Sequence, residues 1–213
     1  MSHGCFDIMT SRWVKSESVV NDDSPLPKPG GPLRPRLEAV RKKIEGQVAR
    51  LVALQAGMKE KDAETFRKLL ESIKENNVQY STVLSSELST ARQVSRVVST
   101  AKVALEKMQA KLGSASDFGD LVIVLSPAMS VVKNVRSSLV PYVPEMEADL
   151  GVIAELLSGI LVDAGQVGGY TINFETANEE AARLVEEASA TVEQAMKEEF
   201  PGIPDLPLVP KAA

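Results

Sequence analysis

The sequence predicts an all-α protein: a long antiparallel helical hairpin, additional short helices, a C-terminal acidic helix and an extended tail. Three observations carry this expectation. Apolar residues recur at steps of three and four through most of residues 37–161, the spacing of a helix with one buried face. No proline or glycine occurs between residues 59 and 111. No segment shows the strict alternation that marks a half-buried strand. With 44% hydrophobic residues in a chain of 213, there is enough apolar material for a packed core.

Residues 1–20 contain Phe6, Ile8, Met9, Trp13 and Val14, including the only tryptophan. This segment reads either as an amphipathic element that wedges into a lipid interface or as a tail docked on the body or unstructured. Residues 21–35 hold five prolines (Pro25, Pro27, Pro29, Pro32, Pro35) and read as an extended linker. Leu37, Val40, Ile44, Val48, Leu51 and Leu54 then mark a first helix of about six turns. Gly57 is expected to end it, with a turn at residues 57–61 and Asp62 as the next cap.

Two columns spaced by seven follow: Phe66, Ile73, Tyr80, Glu87, Val94, Ala101, Met108, and Leu70, Asn77, Leu84, Ala91, Val98, Leu105, Leu112. Only Glu87 and Asn77 are polar, so the simplest reading is one helix of about 50 residues, roughly 75 Å long. The first helix would cover about half of it, leaving a seam for later helices or other copies. The core is thus expected over 36–165, with a hairpin at 36–112 and helices within 117–163. Pro127 should kink the first of these helices. Met146, Leu150, Ile153, Leu156, Leu157, Ile160 and Leu161 form the inward face of the second. Gly165, Gly168 and Gly169 suggest a flexible hinge at 166–174, before an acidic helix at 175–200 and a peptide at 200–210.

Composition also excludes chemistry. With Cys5 the only thiol and His3 the only imidazole, one chain can form no internal disulfide, no His/Cys zinc cage and no histidine triad. No metal or cofactor and no enzymatic activity is expected. The most apolar stretch, residues 150–162, contains Glu155 and is too short to span a bilayer, which takes about 20 residues. No secretory leader is evident, so a reducing, intracellular setting is expected.

The net charge of -5 hides a division. Residues 34–111 carry 16 basic and 9 acidic side chains (+7), whereas residues 112–213 carry 5 and 16 (-11). Arg34, Arg36, Arg41, Lys42 and Lys43 crowd the start of the first helix, where the macrodipole disfavours cations. Together with Arg50 they read as a surface for an anionic membrane. Aromatic residues for base stacking are scarce there, so nucleic acid is not expected as a partner. Glu179, Glu180, Glu186 and Glu187 read as a solvated face or as an acidic arm that folds back on the basic hairpin.

Several short motifs carry nothing. Asp117-Phe118-Gly119 lacks the lysine, glycine loop and catalytic aspartate of a kinase, and Ser130-x-x-Lys133 lacks the companions of a penicillin-binding enzyme. The glycines at 165–169 are not a phosphate loop. The terminal peptide is more specific. Prolines at 201, 204, 207 and 210 recur every third residue, holding Phe200, Ile203, Leu206 and Val209 as preorganised apolar knobs for a groove.

Together, the basic hairpin, the long second helix, the acidic C-terminal region and the terminal peptide resemble the ESCRT-III family, most closely its archaeal CdvB-type division proteins. The stretches Ala91-Arg-Gln-Val-Ser-Arg-Val-Val to Leu105-Glu-Lys-Met, Leu121 to Met129, and Pro144-Glu-Met-Glu to Leu156 are similar to that family's core. Phe200, Ile203, Pro204, Leu206, Pro207 and Pro210 are similar to its second type of MIT-interacting motif, with Phe and Ile in place of the usual Leu or Val. The resemblance implies a non-catalytic subunit that polymerises with itself and with paralogues on anionic membrane at a division site, on the cytoplasmic face. It also implies an AAA ATPase whose MIT domain binds the tail and disassembles the polymer. A membrane-stress scaffold with a similar hairpin, or a coiled-coil adaptor for nucleic acid or protein, stands as the alternative.

Overall fold

Pro32, Asn76 and Asn77 set the limits of the first two helices. In the computed structural model, which describes residues 32–115, 118–168 and 174–204, α1 spans Leu33–Lys74 and α2 spans Val78–Ser114. Then come α3 (Phe118–Leu139), a single 3-10 turn (Pro144–Met146), α4 (Glu147–Gly168) and α5 (Phe174–Glu199). The described residues contain no strand. The all-α class and the antiparallel hairpin are as the sequence predicts.

The hairpin's turn is not where the sequence places it. Helix α1 runs straight through Gly57, and the chain reverses at Glu75–Asn77. An isolated glycine costs a helix only about 1 kcal/mol relative to alanine, too little to end one whose neighbours are good helix formers. The Asn pair does more. Asn76 adopts φ 52°, the left-handed conformation that asparagine tolerates better than most residues. Asn77 then caps α2, its Oδ1 accepting from the Tyr80 amide at 3.2 Å. Ser72 and Ser81 seal the turn: their buried hydroxyls lie 2.8 Å apart and both reach the Asn77 carbonyl, so that one donates to that carbonyl and the other to its partner hydroxyl.

This relocation corrects three further expectations. The arms are 42 and 37 residues long, so α1 pairs with α2 along nearly its whole length and no half-length seam is left uncovered. The heptad columns break at the turn, which resets their phase: Leu84, Val98, Leu105, Met108 and Leu112 are buried, whereas Leu70 and Tyr80 are exposed. Asp62 is no cap but lies buried in mid-helix. Because a Cβ at Gly57 would meet nothing within 4 Å, Gly57→Ala is expected to raise stability by about 0.5 to 1 kcal/mol in urea denaturation. A destabilisation would return the turn to Gly57.

The proximal halves of the hairpin arms build the main core with α3, α4 and α5. Helix α1 packs on α2 and α4, α2 also packs on α3 and α5, and α3 also packs on α4 and α5. Leu37, Ile44 and Leu51 of α1 meet Leu105 and Leu112 of α2, Leu125 and Val132 of α3, and Ile153 and Ile160 of α4 in one cluster. Beyond this body the hairpin continues as a two-helix tip with its own small cluster of Leu69, Leu84 and Leu88. At the other end, Leu33 to Pro35 belong to α1 rather than to the linker. Proline is tolerated there because first-turn amides have no intrahelical acceptor. Helix α3 continues through Pro127. Helix α4 extends through Gly165 to Gly168, so the first residues of the expected hinge are helical, and 169–173 lie outside the described residues.

Candidate functional site

Helix α5 carries Ala177, Ala181, Leu184, Ala188 and Val192 on one stripe, all buried against α2 and α3. Their spacing of four, three, four and four residues keeps them on one face. Small alanines let the backbone approach closely, and Ser130 of α3 donates to Asn178 Oδ1 at 2.7 Å. Flanking the stripe, glutamates meet the basic side of the hairpin. Lys107 pairs with Glu187 at 2.8 Å, Lys111 pairs with Glu180, Arg96 pairs with Glu193 at 3.9 Å, and Lys59 pairs with Glu199 at 2.8 Å. Glu179 and Glu186 are exposed. The acidic arm therefore does lie on the hairpin, and these pairs place it on cations of the second helix and of the middle of α1.

The hydrogen bond from Lys107 and its charge hold the Glu187 carboxyl below the usual glutamate range. Lys111 adds to this, and partial dehydration opposes it. A carboxyl lowered in the docked state favours docking above its ordinary pKa, and the contribution is lost as pH falls through the lowered value. Hydrogen-exchange protection of α5, corrected for intrinsic rates, is expected to decline as pH drops below the ordinary glutamate range. Glu187→Gln should flatten that decline, and an identical pH profile in both proteins would contradict the assignment.

At the N-terminal end of α1 the six cations separate into two groups. Arg36 is 3% exposed and pairs with Asp163 of α4. Arg50 pairs with Asp149 at 2.6 Å, and Gln47 donates to the same carboxylate oxygen at 3.2 Å. These two arginines fasten α1 to α4, which corrects the reading of Arg36 as a displayed membrane contact. The helix dipole disfavours Arg36 locally, and a distant aspartate compensates for it. Arg34 is exposed, Lys42 and Lys43 are half-buried, and Arg41 pairs with Glu38 one turn away at 3.2 Å.

The tail meets the hairpin where the body gives way to the tip. Arg92 of α2 makes a bidentate pair with Asp62 of α1, Nε to Oδ1 at 2.7 Å and Nη2 to Oδ2 at 3.0 Å. Its Nη1 donates to the Pro201 carbonyl at 2.6 Å. The guanidinium lies over the rings of Phe66 and Phe200, 5.7 and 5.2 Å from their centroids. Ile203 packs against the Leu69, Leu84 and Leu88 cluster, and Pro204 is half-buried. Leu206, Pro207 and Pro210 lie outside the described residues, as do Phe6, Ile8, Met9, Trp13 and Val14.

Asp62, Phe66, Arg92, Lys107, Lys111, Asp149 and Asp163 were not identifiable as site residues in the sequence. Their partners are 26 to 127 positions away, and only the charge division hinted at the lysines. Among the described residues, no three His, Cys, Asp or Glu side chains converge as on a metal ion, and no helix is long and apolar enough to cross a membrane.

A basic helical hairpin, two packed helices on its proximal half and an acidic helix folded back across it define the class: an all-α ESCRT-III fold. The chain is 31% identical over 184 residues to cell division protein B1 of Sulfolobus acidocaldarius, covering 86% of each. It is also 26% identical over 165 residues to cell division protein B of that organism, covering 78% of this chain and 63% of that protein. The chain belongs to the CdvB-type branch of the ESCRT-III family. No family model matches it, and no solved structure matches it.

Proposed function

We propose that this chain is a non-catalytic subunit of a membrane-remodelling polymer in cell division, and that the docked α5 is its closed state. The observation that carries the reading is α5 itself. Its glutamates occupy Lys107 and Lys111, side chains of the kind that take lipid phosphates, while its apolar stripe covers a face of α2 and α3. Release of α5 would bare both at once, the cations for anionic lipid and the apolar face for another copy or a paralogue. Arg34, Arg41, Lys42 and Lys43 extend the basic surface, attracting the anionic inner leaflet within about a Debye length, roughly 8 Å. The subunit would then act peripherally on the cytoplasmic face of the membrane at the division site. An AAA ATPase would disassemble the polymer by gripping the tail through its MIT domain. Family membership supports each of these roles.

Vesicle cosedimentation tests the membrane role. Glu180→Gln with Glu187→Gln is expected to raise binding to anionic vesicles several-fold over the unmodified chain, with none to wholly zwitterionic vesicles and a loss at high salt. A chain that ignores anionic vesicles in both forms would overturn it.

A further inference from the structure

We propose that closure has a second latch, separate from the α5 zipper: Asp62, Phe66 and Arg92 form a receptor on the hairpin that holds Phe200–Ile203 and withholds them from other partners. The inference rests on reading the tail as a docking peptide, because it concerns that peptide's first two apolar anchors.

The receptor is built rather than incidental. Arg92 and Asp62 are 13% and 7% exposed, and their bidentate pair fixes the plane of the guanidinium. A fixed plane leaves Nη1 aimed at the Pro201 carbonyl and a face against the Phe200 ring. The peptide thus contributes a backbone acceptor and an aromatic ring to one cation, and Ile203, three residues on, reaches the apolar cluster of the tip. Lys59 pairs with Glu199 immediately before this segment and sets the entry of the chain. A lysine at 92 would keep the charge but could not hold Asp62 bidentately while also facing a ring and a carbonyl.

Two occupants cannot share Phe200 and Ile203. While the hairpin holds them, a groove that reads the proline-spaced tail loses its first two contacts. Apparent affinity then falls by the fraction of chains in which the latch is open. The latch makes the tail of a closed monomer a poor ligand and that of an opened subunit a good one.

Fluorine NMR of the full chain labelled with fluorophenylalanine tests the latch directly, with the Phe200 signal identified by its loss in Phe200→Leu. In the unmodified chain this signal is expected away from the position it takes in a free peptide of residues 198–213. Arg92→Lys should move it to that position, while hydrogen-exchange protection of residues 177–192 stays within about twofold, since α5 has its own contacts. A Phe200 signal already at the free position, or unmoved by Arg92→Lys, would overturn the latch. A second arm uses the MIT domain of the AAA ATPase from the same cell. The free peptide is expected to bind it about tenfold more tightly than the full chain, and Arg92→Lys to restore most of that difference. Equal binding by full chain and peptide overturns the withholding. A free peptide that does not bind overturns the ATPase reading instead, and the NMR result then decides the latch alone.

Discussion

Asp163→Ala is expected to lower the stability of the fold by about 3 kcal/mol or more, a large effect for a side chain at the edge of the body. Its partner, Arg36, is 3% exposed and comes from the first turn of α1, where the helix dipole already works against a cation. Removing one member of a buried ion pair leaves the other charge uncompensated in a poor solvent, at a cost of about 3 to 5 kcal/mol. Asp163 is itself 18% exposed, which places the expectation at the lower end. Relief by movement is limited, because Arg36 already lies so close to Gly159 that a Cβ there would sit 2.9 Å from its Nη2. Its Nε, moreover, has no acceptor. Arg50→Ala is the control. That pair with Asp149 is about half exposed on both sides, and such pairs contribute roughly 0 to 1 kcal/mol. Urea denaturation distinguishes the two, and a loss below 1 kcal/mol for Asp163→Ala would show that α1 and α4 are held by apolar packing alone.

Leu184→Asp is expected to detach α5 while leaving the rest of the fold intact. Leu184 is 6% exposed at the centre of the α5 stripe. Its burial is worth about 1.5 to 3 kcal/mol, and an aspartate there must also be dehydrated or displaced. The three closest glutamate pairs of the arm are exposed to water on at least one side, where solvent screening leaves such pairs little net stabilisation. Apolar contact therefore holds the arm down, and the ion pairs set its register and its sensitivity to lipid and salt. Hydrogen exchange should show residues 177–192 losing protection by about tenfold or more in Leu184→Asp, with α1 to α4 unchanged. Lys107→Gln and Lys111→Gln together should cause a smaller loss. Equal losses would mean that the charges, not the stripe, close the arm.

The sequence made the architecture legible wherever one helix face had to be apolar. The stripes of α3 and α4 and the inner face of α1 followed from spacing alone, because burial imposes the period of the helix on residue choice. The turn did not. Gly57 is conspicuous but exposed and helical, while Glu75–Asn77 sits inside an apparent heptad column whose continuity across the turn was coincidental. At the site, the charge division pointed to an acidic arm meeting a basic hairpin. It could not assign which cations the arm meets, because pairs such as Lys111 with Glu180 depend on how helices distant in sequence are placed. Arg36 misled for the same reason: its position suggested display, and its partner lies on α4. Arg92 had no local signal, since a lone arginine among polar residues on a long helix looks like any solvated position.

Electron microscopy of the chain ending at Gly168, beside the full chain, with anionic vesicles tests the closed-state control most directly. Without α5 and the tail, the basic hairpin and the face beneath the arm are open together. The shortened chain is expected to form filaments and coat or deform the vesicles at concentrations where the full chain remains monomeric and the vesicles stay smooth. A shortened chain that stays monomeric and leaves the vesicles bare, or a full chain that assembles equally well, would contradict it.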